Sequence, residues 1–249
     1  MSLDGRVGLV TGAQQGIGRA IAAAMGQAGA SVVINWLDDE EAAREVAAAI
    51  REIGADAVTV QGDVAVRSDC ERMFAAGAEL GGVDLLVNNA GVFPRIPLLD
   101  ITDDAWNRVQ EVNVVGGMRC MQLLGRELAA QEQSGAVVNI ASGAFFGPPR
   151  EAAHYSASKG AVIGMTRAAA VELAQYRIRV NAIAPGIVDT AQPRGGLTEE
   201  QIGHISDRVP LGAMAQPADV ASVAVFLCSD AAGHITGQTL QVNGGTRFS

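Results

Sequence analysis

Short runs of apolar and β-branched residues alternate along the chain with longer stretches in which apolar positions return every three or four residues. The runs Val7 to Thr11, Ser31 to Ile34, Ala57 to Gln61, Asp84 to Val87, Ala136 to Ile140, Arg179 to Ala184 and Thr239 to Val242 predict strands. The stretches Ile17 to Ala28, Glu40 to Ile53, Arg67 to Ala78, Asp103 to Ala130, Tyr155 to Tyr176 and Pro217 to Ser229 predict helices. This alternation predicts a doubly wound parallel α/β sheet of seven strands with helices on both faces, because parallel neighbours need a crossover between them. With no linker, repeat or low-complexity tail to divide it, the chain reads as one domain over residues 1–249. One irregular stretch, about 186–212, holds Gly, Pro and Thr and the polar helical pattern LTEEQIGHISDRV. A loop of that length inside a compact domain is read as a substrate lid.

Composition narrows the function. At 49% hydrophobic and 18% charged over 249 residues, the chain has a globular composition and enough length to bury a large core without metal or disulfides. A net charge of -9 argues against a nucleic-acid partner, which would require clustered Lys and Arg. Cys70, Cys120 and Cys228 lack metal-ligand or disulfide spacing and read as reduced, buried thiols, and no metal site is expected. The amino terminus shows no basic then apolar leader and no window is long enough to span a membrane, so a cytoplasmic protein is expected.

Three segments carry candidate chemistry. The first strand runs into Thr11-Gly12-Ala13-Gln14-Gln15-Gly16-Ile17-Gly18 and then into an Ala-rich helix. Glycines there let backbone approach a pyrophosphate, whose charge rests on the N–H groups and dipole of the helix start; a ligand-free tight turn is the alternative. Asp63 and Val64 follow the third strand, where Asp63 would accept from an adenine amino group. Asn88-Asn89-Ala90-Gly91 follows the fourth, as cofactor-binding turn or turn chemistry alone. Tyr155 and Lys159 lie at i and i+4 on one helix face, with Ser142 at the end of the fifth strand. A nearby ammonium favours the phenolate, so Tyr155 can exchange a proton with a carbinol or carbonyl as hydride moves. Ser142 would hold the substrate oxygen against it. Singly, each of these residues has an ordinary structural reading; their joint order points to catalysis.

These motifs resemble the short-chain dehydrogenase/reductase family from Gly5 to Gly245: the glycine loop at Thr11 to Gly18, Asn-Asn-Ala-Gly at Asn88 to Gly91, the Tyr155 and Lys159 pair, and Ser142 thirteen positions before the tyrosine. The resemblance implies a Rossmann-type fold and an NAD(P)-dependent oxidoreductase with catalytic Asn113, Ser142, Tyr155 and Lys159. Asn113 would hold a water linking Lys159 to solvent, and Lys159 would bind nicotinamide ribose. It further implies cofactor contacts from Gly12, Gln14, Gln15, Gly16, Ile17, Gly18, Asp63, Val64, Asn89, Ala90, Gly91, Tyr155 and Lys159, with Pro185, Gly186, Val188 and Thr190 around the carboxamide. A homotetramer built through helices near 103–130, 155–176 and 217–242 is implied as well.

Cofactor and substrate choice are less sharply marked. Trp36 stands where an NAD-type Asp is expected, and Gln15 replaces the usual basic residue. With Asp38 and Asp39 close by, the chain leans to NAD over NADP, subject to Arg44 on the next helix. Substrate loops are expected at Val92 to Asp100, Gly143 to His154 and the lid. They offer Arg95, Arg150 and Arg194 for an acidic or polyhydroxyl compound, or Phe93, Phe145 and Phe146 for an apolar one. His154 is a weaker candidate as a second base. A secondary alcohol such as a sugar or polyol leads. Reduction of a 3-oxoacyl thioester on an acidic carrier is the rival, weakened by the negative charge. A non-catalytic cofactor-binding regulator is the remote alternative, and it should show a gap among Asn113, Ser142, Tyr155 and Lys159.

Overall fold

The computed structural model describes residues 1–191 and 198–248. Seven strands, β1 (Val7–Val10), β2 (Ser31–Trp36), β3 (Ala57–Gln61), β4 (Leu85–Asn88), β5 (Gly135–Ile140), β6 (Ile178–Pro185) and β7 (Thr239–Val242), form one sheet in the order β3-β2-β1-β4-β5-β6-β7. Every pairing is parallel. The helices of the described residues are α1 (Gly16–Gln27), α2 (Glu40–Glu52), α3 (Arg67–Ala78), α4 (Asp103–Gln110), α5 (Gly116–Gln131), α6 (Ala153–Leu173), α7 (Glu199–Ser206) and α8 (Pro217–Cys228).

The period of two along the strands explains the two-faced burial. In β1 and β2, Val10, Val32 and Ile34 pack into a core with Ile21 and Met25 of α1, Val46 and Ile50 of α2 and Val220 and Val225 of α8. Their neighbours Leu9 and Val33 enter a second core with Met73 and Phe74 of α3 and Cys120 and Leu124 of α5. Both sheet faces are covered, so the strands are apolar throughout rather than alternating. Each fully buried Leu or Ile contributes about 1.5–3 kcal/mol. Strand order reverses between β1 and β4, and the loops leaving these carboxyl ends form the crevice where ligands of open parallel sheets bind.

Two helices differ from the sequence expectation by more than two residues. The stretch from Asp103 to Ala130 is not one helix: a π-helical turn, Glu111–Val115, divides it into α4 and α5. Asn113 lies in that turn, where its side chain bonds the backbone of Val92 twice. Gly116 and Gly117 just beyond let the helix press on Val64 and Asn88. Helix α6 begins at Ala153, ahead of Tyr155. In the expected lid, the pattern around Glu199 to Ser206 is helical as α7, while residues 192–197, including Arg194, lie outside the described residues.

Candidate active site

Buried backbone groups lock the cofactor side of the crevice. Thr11, 1% exposed at the end of β1, accepts through Oγ1 from the N–H groups of Asn89 and Ala90, both at 3.0 Å. Asn89 returns its Nδ2 to the carbonyls of Thr11 at 2.9 Å and Gly12 at 3.0 Å. The loops after β1 and β4 are thereby tied across the switch point. Gly12 has φ +61°, and a Cβ on it would stand 3.0 Å from Ala90 Cα. A Cβ on Gly18 would fall on the Gly12 carbonyl and 2.5 Å from Asn89 Nδ2. A cradle that a Cβ would fill, opening onto the start of α1, fits a pyrophosphate held on backbone N–H groups. Gly16 faces Thr190, whose methyl lies 3.5 Å from where its Cβ would be, so the segment after β6 closes over the same loop. Within that segment Val188 is buried and bridges to Ala215, and Asp189 N–H donates to the Ala215 carbonyl.

Gln14 is buried, and both ends of its amide are bonded within the protein. Its Oε1 accepts from Leu37 N–H at 2.8 Å and its Nε2 donates to Asp38 at 2.5 Å, which holds the turn after β2 against the glycine loop. Asn35, a polar residue within an apolar strand, accepts from Gly12 N–H at 3.0 Å and donates to the Gly62 carbonyl at 3.0 Å. These two scaffolding roles were not evident from the motif, although a buried Asn in an apolar run is a signal for one. Asp63 receives Arg108 at 3.0 Å and Ala65 N–H at 2.8 Å, so its carboxylate is already bonded on both oxygens. Arg44, the possible 2'-phosphate ligand, pairs with Glu40 at 2.6 Å, and Arg19 pairs with Glu45.

Chemistry gathers on α6. Lys159 is the only lysine of the chain. It is 5% exposed, its Nζ donates to the Ile140 carbonyl at 2.8 Å, and it stands 5.6 Å from the centroid of the Tyr155 ring. Burial pulls its ammonium down to about 8. Tyr155 runs opposite to the sequence expectation. Burial raises its phenol above the usual value, and the hydrogen bond from Ser142 offsets only part of the rise. The ammonium sits over the ring rather than on the phenol oxygen, so it does not dominate. Ser142 caps the short 3-10 turn Gly143–Phe145, accepting from Ala144 N–H at 3.1 Å. Asn113 donates to Ser158 Oγ at 3.0 Å, and that hydroxyl donates to the Tyr155 carbonyl at 2.7 Å. Ser142, Tyr155, Lys159 and Asn113 are therefore one connected group, with Gly91 beside both Asn113 and Lys159.

Behind Lys159 lies a cavity of about 10 Å³ lined by Thr11, Asn88, Asn113, Asn139 and Lys159. Its volume suits one water molecule. Asn88 Oδ1, which lines it, is buried with no hydrogen-bond partner. On the substrate side, Phe93 stacks on Tyr155 with ring centroids 4.2 Å apart and 32° between planes, and Arg95 lies 5.4 Å over Phe93. Phe145 and Phe146 meet edge to face at 5.1 Å. The Phe93 contact was not foreseen, since nothing in sequence distance places a turn after β4 against α6. His154 is buried, neither ring nitrogen bonds another group of the protein, and burial lowers its basicity. The three cysteines are free and buried. Among the described residues no cluster could hold a metal ion and no helix is long and apolar enough to cross a membrane.

Comparison with known proteins agrees with this geometry. A family model described as enoyl-(acyl carrier protein) reductase matches residues 12–247. A 3-oxoacyl-[acyl-carrier-protein] reductase from Staphylococcus aureus is 37% identical over 240 residues, 95% of this chain and 96% of the relative. A solved structure from Sinorhizobium meliloti, described as a candidate short-chain alcohol dehydrogenase, has a TM-score of 0.93 at 40% identity, covering 98% of this chain and 97% of the other. A 7α-hydroxysteroid dehydrogenase solved with NADH and a 7-oxo bile acid gives 0.93 at 34% identity, covering 98% and 95%. With its parallel sheet, glycine cradle and Ser142, Tyr155 and Lys159 cluster, the chain belongs to the short-chain dehydrogenase/reductase family and is an NAD(P)-dependent oxidoreductase.

Proposed function

We propose that the enzyme interconverts a secondary alcohol and its carbonyl, with Tyr155 as acid and base. The observation that carries this is the buried Lys159 ammonium 5.6 Å from the Tyr155 ring, on the helix that follows the Ser142 loop. The cofactor supplies or accepts the hydride. Cofactor contacts are assigned to Gly12, Gln15, Gly16, Ile17 and Gly18 at the cradle, to Ala90 and Gly91, and to Pro185, Gly186, Val188 and Thr190 over it. Gln14, Asn89 and Val64 act mainly by holding these segments in place. Ser142 donates to the substrate oxygen, and Tyr155 Oη passes its proton to that oxygen during reduction. A phenol raised by burial keeps its proton at neutral pH, which suits reduction; oxidation needs the added positive charge of oxidised nicotinamide to make the phenolate. A water in the small cavity would accept from Lys159 and donate to the unpartnered Asn88 Oδ1, holding the ammonium in place.

NAD is the proposed cofactor. Asp38, held at the turn after β2 by Gln14, suits ribose hydroxyls, and the nearest basic residues in sequence, Arg19 and Arg44, are paired with glutamates. A dianionic 2'-phosphate would meet carboxylates. The rim of Phe93, Phe145, Phe146 and Arg95 suits a hydroxy compound with an apolar face and a polar or anionic group, such as a sugar acid. A 3-oxoacyl thioester is the second reading, favoured by the 37% identity to such a reductase. A cytoplasmic homotetramer paired through α4, α5 and α6 would cover Trp106 and Val171, 40% and 79% exposed, and light scattering giving the mass of one chain refutes it.

The deciding experiment is absorbance at the reduced nicotinamide band with NAD and NADP run in parallel. Substrates are gluconate, acetoin, a neutral polyol and acetoacetyl-coenzyme A. Turnover of a hydroxy compound with NAD is expected. Activity confined to the thioester with NADPH would transfer the assignment to the second reading, and no turnover with any pair would remove both.

A further inference from the structure

The turn after β7 touches three segments around the substrate side. Asn243, 8% exposed after β7, accepts from Gly245 N–H at 2.9 Å and donates to the Arg247 carbonyl at 3.0 Å, folding residues 243–247 back on themselves. Gly186, at the start of the segment over the cradle, donates to the Val242 carbonyl at 2.9 Å, and a Cβ on it would lie 2.9 Å from Asn243 Cβ. The end of the lid is fastened to the same turn: Leu211 N–H donates to the Gly244 carbonyl at 3.1 Å, and a Cβ on Gly245 would come within 3.2 Å of Pro210. Finally, the Arg247 guanidinium occupies the space that a Cβ on Gly147 would fill. Gly147 belongs to the loop that begins at Ser142, whose own turn is held by Phe145 N–H on Ser142 O at 3.2 Å and Gly147 N–H on Gly143 O at 3.1 Å. That loop is joined in turn to the Val92 to Asp100 loop by Ile96 N–H on Glu151 O at 3.0 Å.

We propose that Arg247 is a positioning residue for substrate: seated on Gly147, its planar guanidinium clamps the Ser142 loop to the carboxy-terminal turn that also carries the end of the lid. A planar guanidinium lies flat on a backbone that has no side chain, which a lysine ammonium does not reproduce. The clamp restricts the loop that carries Ser142 and the aromatic rim, so its loss should loosen substrate binding while leaving the glycine cradle between β1 and α1, which it does not touch, intact. The kinetic part rests on the oxidoreductase reading above; the geometric part does not.

Gly147 does not adopt a left-handed conformation, so Ala is compatible with its backbone, and the atoms its Cβ would meet are the mobile end of a side chain. Gly147→Ala therefore displaces the clamp without removing Arg247. Amide hydrogen exchange on the NAD-bound protein reads the Phe145, Gly147 and Ile96 amides directly. Arg247→Ala and Gly147→Ala should each speed exchange there about tenfold, with wild-type exchange in Val7–Gln27. The double variant should be no faster than the faster single, because both break the same contact between Arg247 and Gly147. With whichever carbonyl the panel identifies, KM should rise about three- to tenfold while kcat stays within about twofold and NADH affinity is unchanged. Unchanged exchange in both single variants, additive effects in the double, or faster exchange with an unaltered KM overturns the proposal. Absence of turnover in the unsubstituted protein instead counts against the oxidoreductase reading, and exchange alone then decides the clamp.

Discussion

The two sides of the crevice are built from different materials. The cofactor side is made of buried backbone: Thr11 Oγ1 takes two amides, Asn89 gives to two carbonyls, and the space a Cβ on Gly18 would need is already taken. The substrate side is made of side chains on loops, with Phe93 on Tyr155, Arg95 on Phe93 and Arg247 on Gly147. Backbone geometry serves any protein that must hold a pyrophosphate, so it tolerates little change. Loop side chains can be exchanged without disturbing the sheet, and so they are where specificity is set. The proposed catalytic group lies on the boundary between the two.

The most severe test of that division falls on the boundary. Tyr155→Phe should lower kcat by about 10²–10⁴-fold, with NADH affinity retained in a fluorescence titration. Near wild-type turnover would show that another group carries the proton. On the cofactor side, Gly18→Ala should weaken NADH binding at least tenfold and cost about 1–3 kcal/mol in denaturant unfolding, since the clash is with backbone and a buried amide. Equal binding by this variant would mean that the cradle is not rigid.

Lys159 sharpens the comparison by its pH dependence. Its folded value of about 8 lies below the ordinary 10.5, so the native state binds fewer protons than the unfolded state between these values. Stability contributed by this group therefore rises with pH through that window. Below about 8, burying the ammonium costs about 3 kcal/mol, offset in part by the hydrogen bond to Ile140. Lys159→Met should be inactive yet more resistant to thermal unfolding than the unsubstituted protein at pH 7, with the gap closing between pH 8 and 10.5. A gap that does not depend on pH would assign the effect to packing alone.

Much of this was legible in the residues. The short apolar, β-branched runs, set off by the three-to-four spacing of the helices between them, marked all seven strands within a few residues. The glycine loop and the Tyr155, Lys159 and Ser142 spacing marked the site. What escaped was the contact across sequence distance. The π turn at Asn113 depends on Val92, twenty-one residues away, and Phe93 meets Tyr155 only because β4 and β5 are neighbours. The direction of the Tyr155 shift escaped for the same reason, because burial is a property of everything packed around the phenol.

By itself, then, the order of residues determined the class of sheet, the place of the glycine cradle and the spacing of the proposed acid/base pair, because each rests on local geometry and short spacing. Tertiary structure alone decided that Gln14 braces the β2 turn, that Asp63 is held by Arg108, that Lys159 reaches the Ile140 carbonyl, and that Arg247 returns from the turn after β7 to Gly147. Those contacts join residues that are far apart along the chain. Their energies depend on burial and on the groups already bonded at each position, and neither quantity exists until the sheet has closed and its two cores have packed.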